Sequence, residues 1–383
     1  MASSTSKHNH LLSTLYGGAT SAPPPTPSAS ASTSTSSVDD AASLSLSRLL
    51  LHRLPPPTLS LPARRSSAPA TSPPILSLSA DHTPSHDLLS SVSNLGFFQL
   101  THHSLSPQLA HSAESESLSL FDLSSHHKKS FFPKEWPLGY ECCDDDDDGD
   151  GDDDGGLGES FRLDASCSTE STELSFSSLR EFTRGLQKLG LDIVDLLSKS
   201  MGFENPVGDD PDRFCSIMWI SECVASSARP VVSGGVYPFI VGLQYQIRSQ
   251  KYSLLSDSGW VSVLPHVDSV LVTIGDIAQV WSNGKLKKVR GRAVGGVGDS
   301  ENGRRSITMT LLVTLPTESR VAPILPKLPE PKEHKHEEDE EREEGEILGE
   351  KRVFQSFDFE DYAWRVYHER LHFKDPLDRY RIT

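Results

Sequence analysis

Three short constellations in this 383-residue chain carry side chains suited to chemistry. Arg304-Arg-Ser306 sets a guanidinium, which meets a carboxylate in two places, beside a hydroxyl that adds a third donor. His266-Val-Asp268 places an imidazole two residues before a carboxylate, a spacing that suits two ligands of one metal ion. Lys285-Leu-Lys-Lys-Val-Arg-Gly-Arg292 is a basic cluster of the kind that meets phosphate or nucleic acid. Each has a plainer reading: an Arg in an ion pair on a strand, a surface turn, and a solvated strand. No aromatic interleaving accompanies the basic cluster, so the solvated strand is preferred and no nucleic-acid partner is expected. The Asp-rich run 144–154 lacks the terminal Glu and flanking helices of an EF-hand loop and reads as a solvated insertion.

The elements that must position these groups follow from local pattern. Pro73-Pro-Ile-Leu-Ser-Leu reads as a short strand, and a helix from about His86 leads to the buried strand Gly96-Phe-Phe-Gln-Leu. Ser106 as N-cap and Pro107 at the first position open a second helix, which Phe121 to Lys129 completes. Within 172–201, Leu179, Phe182, Leu186, Leu189 and Ile193 repeat at helical spacing and form one core-facing stripe. The stretches 214–222 and 237–244 read as strands entering a barrel, and 307–315 as a last apolar strand. Turns are expected at Asp257-Ser-Gly259 and at Asn283-Gly284, the latter as a hairpin. A final helix over 357–368 has Asp358 as candidate cap and Phe359, Tyr362 and Val366 on one face. So many short strands and turns argue for a jelly-roll.

Between Tyr237 and Ser306 a longer order of motifs emerges. Tyr237-Pro-Phe-Ile-Val-Gly-Leu-Gln-Tyr-Gln246-Ile-Arg248 is followed by Gly259-Trp-Val, Gly275-Asp276, Ser282-Asn-Gly284, Gly291-Arg292 and Arg304-Arg-Ser306. This segment resembles the C-terminal half of the plant-type 2-oxoglutarate- and Fe(II)-dependent dioxygenases (isopenicillin N synthase-like), and the resemblance extends from about Pro73 to the end. It implies an α+β fold, a double-stranded β-helix (jelly-roll) barrel with flanking helices. In that family Gly-Leu leads into His-x-Asp, a His-Arg pair gives the third iron ligand, and Arg-x-Ser, often helped by a Tyr, grips 2-oxoglutarate.

Carried across residue by residue, the iron positions hold Gln246, Arg248 and Gly291, and the cosubstrate positions hold Tyr237, Arg304 and Ser306. An amide oxygen is a weak ligand, a guanidinium is a permanent cation without a donor pair, and glycine offers no side chain. The expectation is therefore a dioxygenase-like protein that has lost iron-dependent oxidation, with no catalytic residue and no metal, acting as a binding or regulatory pseudoenzyme. A small dicarboxylate, 2-oxoglutarate held without metal, is the candidate ligand. It would bridge Arg304 and Arg248 if Arg248 points inward; otherwise Arg248 turns outward or pairs with an acid such as Asp257 or Asp276. The competing reading is an active oxidoreductase with an atypical Fe(II) site, for which His266 and Asp268 are the decoy pair and His334 and His336 the only later imidazoles at comparable distance. His102 and His103 fall where the family often has Asn-His and are read as packing. A scaffold working through its acidic tracts is a third class.

Charge and composition bound the rest. The nine Asp of 144–154 and the net eight negative charges of 330–350 together equal the whole formal charge of −17, so the remainder is balanced. The expected organisation is a disordered Ser/Ala/Pro-rich segment over 1–70, an N-terminal region over 71–205, a jelly-roll core over 206–320, an acidic segment over 321–352 and a C-terminal helix over 353–383. Five Cys (142, 143, 167, 215 and 223) without a Cys-x-x-Cys pattern suggest free thiols in a reducing compartment. No apolar run approaches a membrane span, and no membrane partner is expected. Residues 1–38 contain no acid, as in transit peptides, but only one base, Lys7. The cytoplasm is therefore the expected location and the chloroplast the alternative.

Overall fold

The computed structural model describes residues 71–77, 85–142, 159–171, 174–208, 210–222, 237–257, 259–295, 307–324, 352–368 and 375–382. Arg304, Ser306, His334, His336, Cys143, Cys223, the 1–70 segment and both acidic runs lie outside the described residues. Among the described residues no helix is long and apolar enough to cross a membrane.

Thirteen strands, β1 (Ile75–Ser77), β2 (Phe97–Thr101), β3 (Gly139–Glu141), β4 (Ser160–Leu163), β5 (Cys215–Glu222), β6 (Val241–Tyr245), β7 (Tyr252–Ser256), β8 (Gly259–Val263), β9 (Val270–Ile274), β10 (Val289–Gly295), β11 (Ile307–Thr314), β12 (Arg320–Val321) and β13 (Phe357–Asp358), occur among the described residues. Eight of them form one sheet in the order β1-β2-β9-β6-β11-β5-β4-β3, and three form a second in the order β10-β7-β8. Phe97 and Leu271 of the large sheet pack with Tyr252, Leu254, Val263 and Val289 of the small one. The jelly-roll barrel expected from the sequence is thus present, with its interior between these two faces.

The outer face of the large sheet is covered by helices. They are α1 (Ser85–Asn94), α2 (Pro107–Phe121), α3 (Ser125–Phe131) and α4 (Ser177–Met201), with α5 (Asp276–Trp281) and α6 (Phe359–His368) later in the chain. The stripe read in α4 is buried at all five positions, each contributing about 1.5–3 kcal/mol by apolar burial. Gly190 lets α4 lie close to the sheet: a Cβ there would stand 2.7 Å from a methyl of Val313. Gly275 is required more strictly, because its Cβ would lie 2.0 Å from the Phe239 carbonyl oxygen.

Several local expectations change. The helix expected to run through Lys129 ends at Phe121, and α3 starts afresh with Ser124 accepting from the His127 amide at 3.3 Å. Ser106 precedes α2, but its hydroxyl donates to Gln108 and does not cap the backbone. Asp358 lies in β13, paired with Arg320. Asn283-Gly284 is the exit of α5, with φ of 52° and 83°, and not a hairpin. All six residues of α5 are buried, so the sequence shows no polar face to mark it as a helix.

The basic run is also not a solvated strand throughout. Lys288 is fully buried, and its ammonium donates to Asp276, the acid of Gly-Asp, and to Asp375 at 2.6 Å. Asp375 also accepts from the Leu377 amide, and its bond to Lys288 ties the C-terminal segment to the barrel wall.

Candidate functional site

Alternation along β6 separates two faces. Val241, Leu243 and Tyr245 belong to the helix-side core, so Gly242, Gln244 and the following Gln246 project to the barrel interior. Gln246 is fully buried. Its Nε2 donates to the Gln244 carbonyl at 3.2 Å, while its Oε1 is buried without a partner. Arg248 places both guanidinium amino groups on the two carboxylate oxygens of Glu114 from α2, each at 2.6 Å. The Glu114 side chain is 8% exposed and that of Arg248 is 49% exposed. The acid that takes Arg248 is therefore neither Asp257, which accepts from Gln279, nor Asp276, which binds Lys288. Gly291 lies on β10.

The decoy pair separates. The His266 side chain is exposed, and its backbone amide donates to Gln99 at 2.8 Å. The Asp268 carboxylate accepts from the Tyr245 hydroxyl at 3.0 Å. Tyr245 points to the helix-side face, opposite to Gln246, so this carboxylate does not join the Gln246 side chain. Burial and this bond both raise the Tyr245 pKa. His103 packs edge-on against Tyr245 and contacts the Asp268 carbonyl. Burial lowers its pKa, which the carbonyl only partly offsets. Among the described residues no three His, Cys, Asp or Glu side chains gather as a metal group.

Tyr237 is buried between Trp136 and Phe359, with ring centroids at 5.7 and 5.9 Å. Of the three cosubstrate positions, it is the one within the described residues.

The register also exposes a residue that sequence reading passed over. Arg162 on β4 faces Trp219 on β5, which faces Thr310 on β11. Directly paired residues share a face. Arg162 is 1% exposed, with Trp219 at 5.3 Å and Tyr367 at 4.8 Å from its guanidinium carbon. Its Nη1 donates to the Tyr367 hydroxyl at 2.6 Å and lies 3.0 Å from Glu141. Its Nε and Nη2 are buried without partners. A buried donor left unpaired costs about 1–3 kcal/mol, and more on a charged group. Burial opposes ionisation of Glu141, but Arg162, the Tyr367 hydroxyl and Lys134 outweigh it and hold its carboxyl below the usual range. The signal available in the sequence was alternation in Ser-Phe-Arg-Leu, where Arg162 stands between two apolar residues on a strand.

Comparison with known proteins places this architecture. The profile of the 2OG-Fe(II) oxygenase superfamily matches residues 238–312, which take in β6 to β10 and most of β11. Gibberellin 2-beta-dioxygenase 4 of Arabidopsis thaliana is 24% identical over 332 residues, covering 80% of this chain and 94% of that protein. A 1-aminocyclopropane-1-carboxylate oxidase homolog of Solanum lycopersicum is 29% identical over 34% of this chain and 36% of its own length. Among solved structures, JOX2 in complex with 2OG, Fe and JA aligns at TM-score 0.58 and 16% identity, over 82% of this chain and 90% of JOX2. The rice dioxygenase for auxin oxidation aligns at TM-score 0.56 and 19% identity, over 81% of this chain and 100% of its own. In fold and in motif order the chain is similar to the plant 2-oxoglutarate- and Fe(II)-dependent dioxygenases, and its residues 238–312 match the 2OG-Fe(II) oxygenase superfamily profile.

Proposed function

We propose that this chain uses a dioxygenase-like barrel without iron, as a binding or regulatory protein. The observation that carries the reading is the Arg248–Glu114 pair. Where the family has an anionic ligand of the metal, this chain has a cation, and that cation is already neutralised in bidentate contact with a buried carboxylate. The donor set does not fit Fe(II). Gln246 offers one amide oxygen, Arg248 offers a positive charge, and Gly291 offers nothing. The proposed ligand is a small dicarboxylate such as 2-oxoglutarate, gripped by Arg304 and Ser306 with Tyr237 and without metal. Because Glu114 takes both amino groups of Arg248, bridging between Arg248 and Arg304 is not part of this reading.

The test is anaerobic Fe(II) titration of the full chain, alongside a variant combining Gln246→His, Arg248→Asp and Gly291→His. The combined variant is expected to bind iron and the unaltered chain to bind none. Stoichiometric, chelator-sensitive iron in the unaltered chain, or its steady consumption of 2-oxoglutarate, sinks the proposal. The second reading, an oxidoreductase with an atypical site acting on a small plant acid, is favoured by the relatives, which are oxygenases by name, and by the orphaned Oε1 of Gln246. The same turnover assay decides between the two.

A further inference from the structure

A small cavity lies where α2 faces the end of β6. Glu114 of α2, Gln244 of β6, Arg248 just beyond it, Tyr252 of β7, and Ile307 and Met309 of β11 line it. With Arg248 in place it has room for about 20 Å³, which is about one water molecule.

The two halves of the Arg248–Glu114 contact are not equivalent. The Glu114 side chain is 8% exposed, on the buried face of α2 with Ala110, Ala113 and Ser117. A carboxylate sealed from water needs a cation beside it, whatever the source of that cation. Arg248 is half exposed and can exchange this contact for water at little loss. The fixed half is therefore a fork of two oxygens, and the two bonds of 2.6 Å show that it fits a planar guanidinium. The removable half is a guanidinium on a tether.

A second acceptor stands unused beside the fork. Gln244 is 3% exposed and lines the same cavity, and its Oε1 is buried without a partner. Such an atom calls for an N–H donor. Ile307 and Met309, both buried, make the adjoining wall apolar. Once the Arg248 side chain leaves, the cavity offers two charged acceptor oxygens, one neutral acceptor and an apolar wall.

We infer that Glu114 is the receptor of a binding site for a small alkylguanidinium compound, and that Arg248 is a tethered stand-in that fills the fork until the ligand displaces it. The ligand's guanidinium meets the Glu114 carboxylate, one of its N–H groups serves Gln244 Oε1, and its alkyl part lies against Ile307 and Met309. A short tether gives Arg248 an effective concentration on the order of millimolar. The ligand prevails through Gln244 Oε1, a contact that Arg248 leaves unmade. This goes beyond the metal-free reading, and the ligand has the opposite charge to the dicarboxylate proposed there.

The test uses the full chain in EDTA at constant ionic strength, with ethylguanidinium as probe and its neutral analogue, ethylurea, as control. Thermal melting is followed, together with the nitrogen-15 signal of the one Arg Nε–H group that is missing from Arg248→Ala. Ethylguanidinium is expected to raise the melting temperature of the unaltered chain saturably and to shift that signal as Arg248 is released. Arg248→Ala removes the tethered competitor and is expected to bind the probe about tenfold or more tightly than the unaltered chain. Ethylurea is expected to bind about tenfold or more weakly than the probe, because it lacks the charge. Glu114→Gln is expected to lose the response. No saturable binding to the unaltered chain, equal response to ethylurea, or undiminished binding in Glu114→Gln overturns the site. So does folded Arg248→Ala that binds no better than the unaltered chain. If that variant folds poorly, the unaltered chain and Glu114→Gln still decide. Iron binding by the chain would defeat the preceding proposal and leave this result, obtained in EDTA, untouched.

Discussion

Arg248 and Arg162 both meet a carboxylate, but the burden of burial falls on opposite partners. In the Arg248–Glu114 pair the acid is the buried partner, and the guanidinium is half in water with both amino groups used. In the Arg162–Glu141 pair the guanidinium is the sealed partner, with one edge unused, and the acid is the more accessible group. A saturated pair at the rim ties α2 to the end of β6. An unsaturated cation in the interior leaves two buried donors without partners. Pair counting would score the two contacts alike, whereas asking which partner cannot reach water separates them.

That asymmetry predicts an order of effects. Glu141→Gln leaves Arg162 sealed without a counter-charge and is expected to cost about 3–4 kcal/mol in denaturant unfolding. A loss under about 1 kcal/mol would break the comparison. The same variant should flatten the acid limb of the stability profile. The Glu141 carboxyl is held below its unfolded value, so its stabilisation is fully present above the usual carboxylate range and is lost as pH falls through the lowered folded value.

Arg248→Met comes next, at about 2–3 kcal/mol, because it strands the buried Glu114 carboxylate. Glu114→Gln should cost only about 1 kcal/mol or less, since Arg248 can turn to solvent. If Glu114→Gln proved the more damaging of the two, Arg248 would be the dependent partner and the argument would reverse. The smallest effect belongs to His103, outside both pairs. Burial lowers its pKa, so its contribution is full above the unfolded value near ~6.5 and is lost as pH falls through the lowered folded value. His103→Gln should remove under about 1 kcal/mol of that pH dependence and leave the Arg pairs unchanged.

What could be read in the sequence depended on whether a residue's role was local. The α4 stripe, the Phe97–Leu100 strand and the β7–β8 hairpin, which pairs Ser256 with Gly259, each follow from spacing within a few residues, and the structure has them. The motif frame assigns Gln246, Arg248 and Gly291 to the ligand positions from their neighbours in the chain alone. Their partners were not legible. Glu114 lies 134 residues from Arg248, and Arg162 lies 205 residues from Tyr367. Glu114 did leave a trace: an acid sits on the buried face of α2 with Ala110, Ala113 and Ser117, where an unpaired carboxylate is costly. Lys288 left none, since one Lys among several in a basic run looks like any solvated base. Asn283-Gly284 misled because positive φ serves both hairpins and helix exits.

The Lys288 cluster bears on how the protein is made. One counter-ion, Asp276, precedes Lys288 by 12 residues, while the other, Asp375, follows it by 87. A ribosome adding roughly 5–20 residues per second needs roughly 4 to 17 s to cover that 87-residue gap. For the last 61 of those 87 residues (375 − 314 = 61), every strand of the large sheet through β11 can be in place, yet the ammonium in the wall has half of its negative partners. The segment bearing Asp375 therefore acts as a completion check. A product cut after β11 keeps the barrel's outline but buries an under-compensated charge, a defect that opens the wall to chaperones and proteases.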